Sequence, residues 1–182
     1  MIKKHLVILT ATLLLASCGA LSQSFYDSTR YVYDEVTQRE SVRLGSYLCE
    51  RNFYGGCYAR SYMLDKNATS VSIRVRYSAE DWLFLRIAMA EGKRLSMTDP
   101  IRNVNSGGTS VRIEERFSVR VPLDTFAEWS CRHSRVVLRL SGDRYIDLPL
   151  AIAPISQFLA KAEDLFQLGI EDRACLSRES NV

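Results

Sequence analysis

The chain has 182 residues, 47% of them apolar and 25% charged, a balance that excludes a disordered, collagen-like or multi-spanning membrane protein. Its length suits one domain. Setting aside Lys3 and Lys4 of the leader reduces the 24 basic residues to 22 against 21 acidic ones, so overall charge gives no reason to expect nucleic acid as a partner.

In chain order, Ile2-Lys3-Lys4-His5 is a short basic region, and Leu6 to Leu15 is an apolar run too short for a spanning helix, which needs about 20 residues. The run ends in Leu15-Ala16-Ser17-Cys18. This resembles the lipobox of bacterial lipoproteins, a small-residue cleavage site directly before a cysteine. The resemblance implies that residues 1–17 are a signal peptide and that Cys18 becomes the acylated amino terminus. Each buried methylene contributes about 0.8 kcal/mol, so two or more acyl chains hold firmly. Gly19, in place of an aspartate, is similar to the outer-membrane-sorted members of that family. The implied location is the outer membrane, with the body in the periplasm.

Residues 18–46 read as the anchor and a partly docked tether, and residues 47–182 as a single β-rich domain. Tyr31-Val32-Tyr33 can pair as a strand, while Val32 and Val36 are equally compatible with a helical turn. Cys49, Cys57, Cys131 and Cys175 are an even set, suited to disulfides in an oxidising compartment. Three pairings are possible, and the local pair Cys49–Cys57 with Cys131–Cys175 is preferred. The Cys49–Cys57 loop is rich in aromatics, with Tyr47, Phe53, Tyr54, Tyr58 and Tyr62 in or beside it. Tyrosine and arginine are enriched where proteins meet partners, so these five are candidate contact residues.

Val71, Ile73, Val75 and Tyr77 alternate with Arg74 and Arg76, the period of a half-buried strand. Trp82 to Ala90 is apolar on both faces and reads as a central strand covered on both sides, or as one edge of a thick core. Lys93–Met97 and Thr109–Ile113 are extended candidates, with Asp99–Thr109 a long hairpin connection between them. Arg116 to Val121 alternates again until Pro122, and Leu123–Trp129 reads as a short helical turn. Two further strands flank Ser141-Gly142-Asp143. Pro154–Phe166 is an amphipathic helix, with proline in its first turn and Gly169 as terminator. The expected fold is mainly β or α+β: an antiparallel sheet or compact β-sandwich with a C-terminal amphipathic helix.

Arg74, Arg76, Arg120 and Arg139 fall on outward positions of these strands. Arginine makes up 19 of the 24 basic residues, and its planar fork suits bidentate contact with carboxylate or phosphate. These four are therefore candidate contacts for an acidic protein face or anionic headgroups. No catalytic, metal or cofactor site is expected. His133 is the single histidine outside the leader, too few for a multi-histidine zinc site, and Cys131 beside it is wanted for a disulfide. Adjacent acids such as Glu114-Glu115 point to opposite faces of a strand and cannot share a proton or metal. The expected function is a non-enzymatic, membrane-anchored binding or assembly module for an envelope protein. The alternatives are a periplasmic inhibitor or immunity protein and a small enzyme acting on cell-wall glycan.

Overall fold

The computed structural model of the protein describes residues 29–45, 50–51, 56–107, 110–172 and 174–176. Its strands are β1 (Arg30–Asp34), β2 (Arg39–Gly45), β3 (Glu50–Arg51), β4 (Cys57–Asp65), β5 (Ser70–Ala79), β6 (Ile87–Ala90), β7 (Lys93–Met97), β8 (Ile101–Gly107), β9 (Ser110–Pro122), β10 (Val136–Ser141) and β11 (Tyr145–Leu150). Among the described residues two helices, α1 (Leu123–Ser130) and α2 (Ile152–Phe166), follow late in the chain. The fold is α+β, one large antiparallel sheet with helices towards the C-terminus. Strand order is β1-β2-β4-β5-β9-β7-β6-β10-β11, with β3 beside β4 and β8 beside β9. Among the described residues the first strand of the sheet starts at Arg30, well inside the segment expected to be tether.

The spine of the sheet is the β5–β9 ladder, in register from Ser70↔Pro122 to Ala79↔Ile113. Both strands show the period-two pattern, and the ladder places Val71, Ile73, Val75 and Tyr77 on the same face as Val121, Val119 and Phe117, all buried. Arg74, Arg76 and Arg120 fall on the other face and are exposed.

Two expectations fail on the far side of β9. Residues 99–109 are not a long connection, because Ile101–Gly107 forms β8 and the register Gly107↔Ser110 leaves two residues between paired positions. Asn103 and Asn105 lower the intrinsic strand preference of this segment, and pairing with β9 overrides it. The Thr98 backbone N–H donates to the Ser118 carbonyl at 2.9 Å, and the Ser118 N–H donates to Thr98 Oγ1 at 2.9 Å, so β7 and β8 act as one strand interrupted at 98–100.

The second failure is Trp82–Ala90, of which only Ile87–Ala90 is strand. The cause is Glu115, a fully buried carboxylate on the core face of β9. Its Oε1 accepts the N–H groups of Leu83 and Phe84, both at 2.9 Å, and its Oε2 accepts that of Leu85 at 3.2 Å. Those donors are thereby taken from any ladder, and Phe84 adopts a left-handed φ of 48°. Gly142 closes the arrangement, since a Cβ there would lie 2.2 Å from the Leu83 carbonyl oxygen and 2.3 Å from that of Phe84.

α1 and α2 pack on each other, and α2 also reaches β2. Ile155, Phe158, Leu159 and Ala162 of α2 are buried, as the 3.6-residue pattern requires. Phe158, Phe126 of α1 and Tyr62 of β4 form a ring cluster with centroids 5.7–6.1 Å apart, and Trp129 joins it through Phe126 at 5.8 Å. Removing one such ring costs about 3–5 kcal/mol. The left-handed residue that ends α2 is Gln167 rather than the expected Gly169. Glu163 supports the reversal by accepting the N–H groups of Gly169 and Ile170 at 3.1 and 3.2 Å. Cys131 and Cys175 form a disulfide that ties the segment after α2 to the end of α1. Ser130 Oγ, which donates to the Ala127 carbonyl, accepts the Cys175 N–H at 2.9 Å in the same place. Cys57 is also disulfide-bonded, while Cys49, its expected partner, lies outside the described residues.

Candidate functional site

The most distinctive chemistry on the molecule is the outer face of the sheet, where strand register assembles arginines from separate segments. Arg76 of β5 lies directly opposite Arg116 of β9. Arg74 lies opposite Ser118, and Arg120 opposite Ser72 on one side and Ser96 on the other. Like charges directly opposite each other on neighbouring strands are destabilising. Glu114, two residues before Arg116 and buried beneath these side chains, offsets the repulsion: it pairs with Arg116, and its Oε2 lies 3.8 Å from Arg76 Nε. One carboxylate is thus shared by two guanidinium groups, while Arg74 and Arg120 point to solvent. Glu114 and Glu115 take opposite faces of β9, as adjacent strand residues must.

Arg139 is placed differently. It makes a bidentate pair with Asp147 across the β10–β11 ladder, both N···O distances 2.7 Å, and its guanidinium lies 4.7 Å from the Tyr145 ring centre. The donated hydrogen bonds and positive charge of Arg139 hold the Asp147 carboxyl below its ordinary value. This arginine therefore has an internal partner, which Arg74 and Arg120 lack among the described residues.

Arg116 completes the group and was legible in the sequence, since it shares the parity of Arg120 in the same alternating run. Glu114 was not, because its pairing with Arg76 depends on the register of β5 on β9. The tyrosine candidates fare otherwise. Tyr58 and Tyr62 are core residues, 5% and 1% exposed, rather than surface contacts, because β4 is an internal strand and turns them inward. Tyr47, Phe53, Tyr54 and Cys18 lie outside the described residues.

The sulfur of Cys131 is committed to Cys175, so the thiol that an enzymatic pairing with His133 would need does not exist. Among the described residues no cluster of three or more histidines, cysteines or carboxylates could hold a metal ion, and no helix is long and apolar enough to cross a membrane. Comparison with known proteins finds no matching family model, curated protein or solved structure.

Proposed function

We propose that the protein is an outer-membrane lipoprotein, held by acyl chains on Cys18, whose periplasmic body is a non-enzymatic binding or assembly module for an acidic envelope protein. The observation that carries this reading is the outer sheet face on which Arg76 and Arg116 share the carboxylate of Glu114 while Arg74 and Arg120 stand exposed beside them. A face of that charge loses stability to self-repulsion and recovers it when carboxylates arrive, and the forked geometry of arginine favours planar acidic partners over water. The lipobox-like Leu15-Ala16-Ser17-Cys18 supports the anchor. The accompanying fold reading is a sheet curled towards a sandwich. Support for it comes from the single core cluster, in which residues of β2 near one end of the sheet join those of β11 at the other.

The test is crosslinked purification of the full-length protein from its native membranes, beside the double variant Arg74→Glu/Arg120→Glu. A stoichiometric acidic partner lost in the variant supports the reading, and its identity separates an assembly role from an inhibitory one. Equal recovery from both proteins removes the arginine face from the argument. Cys18→Ala supplies the second arm: a variant still cleaved and still membrane-bound refutes the anchor.

A further inference from the structure

β1 is a free edge of the sheet, paired among the described residues with β2 alone. Edge strands are ordinarily protected from other chains by proline, lysine or a bulge. The opposite edge obeys this, because β11 contains Pro149, which has no N–H to offer. β1 has no proline, lysine or bulge, and its two charges, Arg30 and Asp34, are of opposite sign. Its sequence is Arg30-Tyr31-Val32-Tyr33-Asp34, and Tyr31 and Tyr33 are 44% and 50% exposed.

About its central residue this strand is a chemical palindrome: cation, aromatic, aliphatic, aromatic, anion. When two copies are laid antiparallel with Val32 opposite Val32, Arg30 of each faces Asp34 of the other and Tyr31 faces Tyr33. A parallel arrangement instead sets Arg30 against Arg30 and Asp34 against Asp34. An antiparallel slip of two residues leaves both charges without their complements. Register and direction are thus selected by the five side chains themselves.

We propose that β1 is a self-pairing edge, through which two copies of this chain join about a two-fold axis into one continuous sheet. Such a contact is isologous and closes on itself, so it ends at a dimer. The geometry of Asp34 suits the role. Its Oδ1 accepts the N–H groups of Val36 and Thr37 at 3.0 and 3.1 Å, fixing the carboxylate at the end of the strand. Those bonds, Thr37 foremost, also hold its carboxyl below the ordinary value, so it is anionic at neutral pH. Five residue pairs bury less than the roughly 1,200 Å² of a standard interface, so the dimer is weak and exchanging, and covalent trapping is the appropriate assay.

The experiment uses full-length protein in mild detergent under gentle oxidation. Val32→Cys is expected to trap a homodimer. Arg30→Cys is expected to stay monomeric, because the pairing holds its two copies about 14 Å apart, four residues at about 3.4 Å each. Adding Arg30→Glu to Val32→Cys sets like charges together and should reduce the trapped fraction several-fold. Should substitution at the half-buried Val32 disturb folding, the exposed positions give an independent test: Tyr31→Cys mixed with Tyr33→Cys crosslinks far more than either variant alone. Absence of trapping in variants with an unchanged thermal midpoint overturns the proposal. So does equal trapping at positions 30 and 32, or capture of a different protein at Val32→Cys.

Discussion

Replacing Glu115 by glutamine tests the account of why residues 82–86 are not strand. The carboxylate is fully buried and accepts three backbone N–H groups, and Arg102 Nε lies 3.5 Å from its Oε2. Glutamine preserves the volume but keeps one acceptor oxygen, and its amide nitrogen then points at an N–H it cannot accept. At least one buried donor is left unpaired, costing about 1–3 kcal/mol, and losing the charge weakens the surviving bonds by roughly 1 kcal/mol more. The expected loss is about 3 kcal/mol in urea unfolding at neutral pH, with faster amide exchange confined first to Leu83, Phe84 and Leu85. Arg102→Ala serves as the comparison: its side chain is one-third exposed, so the ion pair contributes about 1 kcal/mol or less. A loss below about 1 kcal/mol for Glu115→Gln, with exchange at those three amides unchanged, refutes the reasoning.

Gly142→Ala drives a methyl into the carbonyl oxygens of Leu83 and Phe84, which are backbone and cannot swing aside, so the thermal midpoint should fall by the equivalent of at least about 2 kcal/mol. Cys131→Ser/Cys175→Ser removes a crosslink between residues 44 apart, and denaturant unfolding should show a loss of about 2–4 kcal/mol without change of secondary structure at 25 °C. Asp147 titrates below its ordinary value in the folded state, so its pairing with Arg139 contributes fully above the unfolded carboxylate pKa of about 3.9 and is lost as pH falls through the lower folded value. Asp147→Asn should therefore flatten the acid limb of the stability–pH curve and leave a small constant deficit near pH 7. A mutant curve parallel to wild type throughout would count against the pairing.

The parts of the fold legible in the sequence are those where one local pattern decides. The alternation of Val71–Tyr77 and of Phe117–Val121 identifies the spine, Pro154–Phe166 identifies the long helix, and Ser141-Gly142-Asp143 marks the β10–β11 hairpin. What was missed depends on partners distant in sequence. Trp82–Leu85 has the composition of a strand, yet a carboxylate some 30 residues away takes its N–H groups. Tyr58 and Tyr62 look like surface aromatics until β2 and β5 enclose β4 and turn them inward. The arginine face was half legible: parity placed Arg74, Arg76 and Arg120 outward, but only the register of β5 on β9 brings Arg76 to Arg116 and buries Glu114 between them.

The ring cluster of Tyr62, Phe126 and Phe158 draws its members from β4, α1 and α2, which arrive at widely separated times as the chain is made. At synthesis rates of about 5–20 residues per second, Tyr62 waits roughly 5–20 s for Phe158. Over that interval the chain holds an unfinished core, with α1 arriving only part-way through and α2 not yet made to close the ring cluster. Contacts this distant in sequence also slow folding itself, since loop closure must precede any gain from packing. A holdase that recognises exposed aromatic segments is therefore expected to bind chains truncated before Ile152 and to release those that extend beyond Phe166.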